Sequence, residues 1–251
     1  HVNLDRFAAL VGLMNTLSFV RDPIERVISH FEHRRLYADY DGTLDEFMAL
    51  PANRNLQSRL LAAAPLEAIG FVGVTERYEE SLALINEAYG LRLPVLTTNC
   101  HPERKDRGSY AIDAEARQRI LELNRADAEL VERANRLLDA RRLAHESGYG
   151  FVQGAIQSVA PGSVSGFAFV RHLSTPVMVE LCINGHPVAT THATAQRPAL
   201  FALGAPRQGC VGFDFRLAKP LAPGDQIQCL AKLSGQSLGV RTWQPPAPKK
   251  K

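Results

Sequence analysis

The sequence predicts an α/β unit of parallel strands with helices, followed by an antiparallel β-sandwich. Three observations carry this. A short apolar run, Thr16–Val20, leads directly into a helix start at Asp22-Pro23, the strand-then-helix order of α/β folds. Helical periodicity with capping residues continues to about residue 145. Past Ser147-Gly148-Tyr149-Gly150, a period of two residues replaces it, punctuated by Gly and Pro.

Each element has a local reason. Thr16–Val20 is short and mostly apolar, as a buried strand is. Asp22 suits an N-cap and Pro23 the first helical position, and Glu25 lies at capping-box distance from Asp22, so a helix is expected to about Arg35. Thr43-Leu44-Asp45-Glu46 is a second capping box that opens a short helix. Leu56–Ala64 is expected to be helical, and Ala68–Val74 to be a strand containing Gly73. Thr75 is expected to cap a helix with Tyr78, Leu82, Ile85 and Tyr89 on one face, stopped by Gly90. Pro94–Tyr110 reads as a polar loop, and Asp113 to about Ala144 as one helix or two, broken near Asn124–Asp127.

In the second half, Val177, Val179, Leu181 and Ile183 alternate with Met178, Glu180 and Cys182. Asn184-Gly185 then marks a hairpin turn, with Pro187–Thr191 as the returning strand. Gly212–Leu217 and Gln226–Leu233 alternate in the same way, and most of Tyr149, Phe151, Phe167, Phe169, Phe201, Phe213, Phe215 and Trp243 sit at alternating strand positions and read as core. The expected organisation is an α/β core over residues 1–145, a linker at 146–154, a sandwich at 155–243 and a disordered basic tail at 244–251.

Composition narrows the function classes. No run of 18 apolar residues occurs, so no membrane span is expected. The four cysteines have no zinc-type spacing and read as free thiols in a reducing compartment, hence a cytoplasmic protein. Residues 1–145 carry a net charge of −3 and residues 146–251 a net +6, three of it from Lys249, Lys250 and Lys251; this suits weak contact with an acidic glycan, or, as the favoured reading, a solvated surface. No nucleic-acid partner and no metal are expected; His30, Glu32 and His33 share a helix but read as a solvated face.

The chemistry points to one corner. Arg21 sits at the carboxyl end of the first strand beside a helix N-terminus, where α/β sheets bind anions through free N–H groups and the helix dipole. Ser29, on the second turn, leans back toward that end. The planar guanidinium fork of arginine matches phosphate oxygens; the alternative is an arginine that simply pairs with Asp22 or Glu25. Asn55, Gln57 and Arg59, with Arg54 beside them, are candidates to line an acceptor groove. Arg104, Lys105 and Arg107 form a basic loop that is a candidate to close over a nucleotide. Glu76 follows a strand and is placed to orient an arginine or to serve the first helical turn, while Cys100-His101 receives no role.

At these residues the chain resembles a known family. Phe19-Val20-Arg21-Asp22-Pro23-Ile24-Glu25-Arg26-Val27-Ile28-Ser29-His30 resembles the second cofactor motif, R-D-P-x-x-R-x-x-S, of the PAPS-dependent carbohydrate sulfotransferases of the heparan sulfate 2-O-sulfotransferase-like group, including bacterial relatives. His1–Phe7 is similar to an H-V-x-x-x-x-F stretch ahead of that motif. Asn55–Leu60 is similar to an N-x-Q-[TS]-R segment, and Phe71–Glu76 to a V-G-[LV]-T-E stretch. Asn124 and Asp127 resemble the closing helix, and the likeness covers roughly residues 1–143.

The resemblance implies a P-loop-like sulfotransferase core that takes PAPS as co-substrate without a metal. Arg21 and Ser29 would hold its 3′-phosphate, and His1 would be the base toward a hydroxyl of a glycan or related acceptor. The family's Lys-bearing 5′-phosphosulfate loop has no counterpart here and is expected upstream of His1. The chain as it stands is therefore expected to bind cofactor weakly and not to turn over. Two other readings stand beside this one: a glycan-binding module in which the sandwich carries the function, and a purely structural spacer. A P-loop kinase finds no Walker sequence.

Overall fold

The computed structural model describes residues 3–96 and 112–245. In chain order its helices and strands are α1 (Leu4–Val11), β1 (Leu17–Val20), α2 (Pro23–Tyr37), α3 (Leu44–Ala49), α4 (Leu56–Leu60), β2 (Phe71–Val74), α5 (Tyr78–Tyr89), α6 (Ala114–Leu123), α7 (Arg125–Glu146), β3 (Val152–Ala160), β4 (Ser163–Val170), β5 (Met178–Ile183), β6 (His186–His192), β7 (Ala195–Gln196), α8 (Pro198–Ala202), β8 (Cys210–Arg216), β9 (Gln226–Ala231) and β10 (Ser237–Thr242). The architecture is mixed α/β and divides into two compact units. Residues 17–63, 71–96 and 112–139 belong to the first, and residues 4–16, 64–70 and 140–245 to the second. Among the described residues no helix is long and apolar enough to cross a membrane.

In the first unit β1 and β2 pair in parallel, from Leu17 opposite Phe71 to Val20 opposite Val74. The Phe19 ring lies across Gly73, where an added Cβ would stand 2.5 Å from a ring carbon; only glycine leaves that space. Asp22 caps α2, accepting from the Ile24 and Glu25 amides, with Pro23 at the first helical position. Ile24, Val27 and Ile28 then face one side at helical spacing and pack with Phe47, Met48 and Ile120. The capping box at Thr43 is formed on both sides, Thr43 receiving Glu46 N and the Glu46 carboxylate receiving Thr43 N. The helix expected over Leu56–Ala64 stops at Leu60. The one expected from Thr75 begins at Tyr78, because the Thr75 hydroxyl donates to the Val20 carbonyl at 3.1 Å instead of capping. Gly90 ends α5 in the left-handed conformation, and Asn124 separates α6 from α7.

The second unit holds two four-stranded antiparallel sheets, ordered β10-β9-β5-β6 and β3-β4-β8-β7. Their inward residues form one core: Val152, Ile156, Val164, Phe213 and Phe215 from one sheet, and Val179, Leu181, Ile227, Cys229 and Leu238 from the other. Burial pushes the Cys229 thiol up to about 12, so it stays protonated at neutral pH. Asn184 and Gly185 turn β5 into β6 with φ of 52° and 80°, the two positive values a two-residue hairpin requires. β3 begins at Val152, inside the stretch 146–154 that the sequence suggested as linker. Leu4–Thr16 and Ala64–Gly70 lie with this unit: Leu13 N donates to Leu203 O at 2.7 Å, Gly70 N to Leu13 O at 2.9 Å, and the buried Gln153 amide to Ile69 O at 2.9 Å.

Candidate functional site

All described candidates lie in the first unit, around the passage from β1 into α2. β1 is not the buried strand expected from its apolar run: Leu17 and Phe19 are exposed and only Val20 is buried, with Arg21 the first residue past the strand. The sequence argument counted on free N–H groups here, and the structure fills them. Arg21 N donates to Gln57 Oε1 at 2.8 Å, Asp22 N to Glu76 Oε1 at 3.0 Å, Ile24 N and Glu25 N to the Asp22 carboxylate, and Arg26 N to Asp22 O at 2.8 Å. A ligand at this corner therefore has side chains to bind to, not helix amides.

The Arg21 guanidinium is about a quarter exposed. Its Nη2 pairs with Glu25 Oε2 at 3.1 Å, and its Nε stands 4.0 Å from Glu76 Oε1. Ser29 is part-buried on the second turn of α2, and its hydroxyl has no hydrogen-bond partner among the described residues. The corner thus offers one cation held between two carboxylates, and a hydroxyl on the helix that follows it.

Asn55, Gln57 and Arg59 are placed by an exchange between two helix starts. Asn55 is left-handed (φ 47°, ψ 40°), and its Oδ1 receives Ala126 N at 3.0 Å and Asp127 N at 3.3 Å, the first-turn amides of α7. In return the Asp127 carboxylate receives Gln57 N, Ser58 N and Ser58 Oγ at the start of α4. Each helix supplies the cap of the other. Asn124 Oδ1 adds Asn55 N at 2.9 Å and Arg26 Nη2 at 2.7 Å. The Gln57 side chain then reaches Arg21 and holds both its main-chain groups, N–H and C=O, at 2.8 Å each. Arg59 donates to Ala52 O at 2.6 Å, and Arg54 to Met48 O and Ala49 O, so both give donors to nearby main chain.

Arg26 went unremarked in the sequence beyond its place in the motif. Its side chain is nine-tenths buried, with Nη2 on Asn124 and on Asn53 O and 3.7 Å from Asp127, while Nε and Nη1 are buried without partners. Burial, more than any neighbour, lowers its pKa, and Asp127 opposes that. Arg77 forks onto Glu80 and bonds Asp139 at 2.7 Å, contacts that raise its pKa. Neither arginine carries a spacing signal that separates this structural use from a surface one.

His1, the candidate base, lies outside the described residues, as do Arg104, Lys105 and Arg107 of the basic loop and the Cys100-His101 pair. His30 meets Phe47 edge-on at 5.2 Å, and His33 lies 4.9 Å from Tyr37. Among the described residues no group of three or more His, Cys, Asp and Glu is placed to hold a metal ion. Comparison with family models, with curated proteins and with solved structures found no match to this chain.

Proposed function

We propose that the first unit belongs to a PAPS-dependent sulfotransferase that moves a sulfuryl group to a hydroxyl of a glycan or related acceptor. The observation that carries this is Arg21. It stands at the carboxyl end of a parallel strand with its main chain fixed and its guanidinium part-exposed, and the unpartnered Ser29 hydroxyl follows on α2. The residues fit a phosphate group. Arg21 would hold it by charge and fork geometry, releasing Glu25, and Ser29 would donate one hydrogen bond. Glu76, which accepts Asp22 N, keeps the turn in place. On this reading the β1–β2 pair is the part of a P-loop-like core that presents the nucleotide's 3′-phosphate.

PAPS supplies an activated sulfuryl group for in-line displacement, a reaction limited by positioning and charge stabilisation more than by covalent chemistry. His1 would take the acceptor's proton, a contribution of roughly 10²–10⁴-fold. Titration calorimetry with adenosine 3′,5′-bisphosphate tests the assignment. In the full-length protein, Arg21→Ala should weaken binding by about 2–4 kcal/mol, the scale of a lost charge-assisted contact. Unchanged affinity in a folded Arg21→Ala protein overturns it.

A second reading rests on the net charge of +6 over residues 146–251, which favours salt-sensitive binding of an acidic glycan by the two-sheet unit. Retention on heparin at low salt that survives loss of Arg21 supports that reading; no retention removes it.

A further inference from the structure

We infer that Gln57 is a positioning residue for Arg21: it sets the guanidinium by gripping the arginine's main chain, and it does not touch the acceptor. The inference rests on the anion-binding reading of Arg21. Gln57 is 36 residues from Arg21 in sequence, yet its one amide group meets both polar groups of that residue, receiving N–H at 2.8 Å and donating to C=O at 2.8 Å. The arrangement copies what a neighbouring strand would do, just past the point where β1 ends at Val20. These two bonds take one of the amide's two N–H donors and one of its oxygen's two lone pairs, and together they fix the amide's plane against Arg21.

The grip has a rigid base. Gln57 N is fastened to Asp127 Oδ2, and Asp127 is wholly buried, with Ser58 N and Ser58 Oγ on its other oxygen. Glu76 holds the next amide, Asp22 N, at 3.0 Å. Two consecutive peptide groups are therefore fixed from two different elements, and the arginine starts from a set direction. A site built this way loses less freedom when its ligand arrives, which appears as affinity.

A purely structural clamp would look the same in a static view, and the second unit contains one. Gln236 grips Val152 in the same manner, receiving its N–H at 2.9 Å and donating to its C=O at 2.6 Å. It serves as an internal control. The full chain is titrated with adenosine 3′,5′-bisphosphate as wild type, Gln57→Met, Gln236→Met, Arg21→Ala and the Arg21→Ala/Gln57→Met double variant, with each Tm measured. Methionine keeps the length of glutamine and removes both hydrogen bonds.

Gln57→Met is expected to weaken binding about tenfold, on the scale of two lost hydrogen bonds. It should add nothing once Arg21 is absent, the signature of a residue acting through its partner. Gln236→Met is expected to lower Tm and leave affinity unchanged. Wild-type affinity in folded Gln57→Met overturns the inference, and so does an equal loss in both Arg21 backgrounds, which would make Gln57 an independent contact. Equal binding by wild type and Arg21→Ala defeats the anion reading itself and takes this role with it. Loss in Arg21→Ala without loss in Gln57→Met defeats only the role of Gln57.

Discussion

At Asp127 one carboxylate, wholly buried, receives two amides and a hydroxyl and faces Arg26 at 3.7 Å. Removing it strands the Gln57 and Ser58 amides and leaves a buried guanidinium without its counter-charge. Asp127→Ala should cost about 3–5 kcal/mol in chemical denaturation, the scale for breaking one side of a buried pair; a midpoint near that of wild type would show the network to be dispensable. His30 makes a different prediction. Burial lowers its pKa below the ordinary 6.5, and Arg26, Arg34 and His33 push it the same way. Below about pH 6.5 the unfolded chain takes up this proton more readily than the folded one, so stability falls as pH falls through that range. Tm should therefore drop less between about pH 7.5 and 5.5 in His30→Gln than in wild type, and parallel curves would refute it. Of these residues Asp22, Pro23 and Thr43 were legible, because a cap acts within three positions of its own helix. Asn55, Gln57 and Asp127 were legible only as members of motifs. Their partners lie 36 to 72 positions away, and spacing along the chain carries no sign of such pairs.

Among the elements, those with a chemical start or stop were read from sequence most closely. The Thr43 box, the Gly90 stop, the Asn124 break and the Asn184-Gly185 turn all stand where their residue types put them. Thr43→Ala should destabilise by about 1 kcal/mol, the usual worth of an N-cap. It should also raise the Glu46 carboxyl part of the way toward its ordinary range, because the Thr43 hydroxyl bond is lost while the larger contribution, from the Thr43 N–H, stays. An NMR titration that leaves Glu46 where it was would refute the account. β3 is hidden in the sequence for a physical reason. β3 opens with Val152, Gln153 and Gly154 all buried, so its polar residue sits inside and alternation is hidden. A register shift between Ile156 and Ser158 then moves the pattern by a residue. The α5 start slipped because Thr75 binds Val20 across the sheet, a choice made by tertiary contact and not by local preference.

At the scale of the whole chain, the sequence suggested a single cut near residue 145, whereas the compact units are interleaved. Leu4–Thr16 and Ala64–Gly70 belong with the two-sheet unit, and the later boundary falls inside α7, between Asp139 and Ala140. Composition could not reveal this, since both short segments are surrounded in sequence by the α/β stretch. A strand edge makes the consequence measurable. Val152 pairs with Val170 and is gripped by Gln236, so a piece spanning 155–243 lacks Val152, Gln153 and Gly154 at the start of β3. It should melt cooperatively but at a lower temperature than a piece spanning 148–245, by calorimetry. Equal melting temperatures would make residues 148–154 a passive tether.

The Asn184-Gly185 turn also gives the molecule a chemical clock. An asparagine followed by glycine loses ammonia when the glycine nitrogen attacks the side-chain carbonyl and closes a succinimide ring, which water reopens to aspartate or isoaspartate. Here the side chain is tied at both ends: Nδ2 donates to Asp225 Oδ1 at 2.9 Å, and Oδ1 receives Gln226 N at 2.9 Å. Ring closure requires both to let go, so it waits for the turn to part from Asp225 and Gln226 at the start of β9. Deamidation at Asn184 in a stored sample then records how long the turn has spent away from β9, and Asp225→Ala should speed it in mass spectrometry of the peptide. Once formed, the new carboxylate would face Asp225 and the two like charges would hold the turn away from β9.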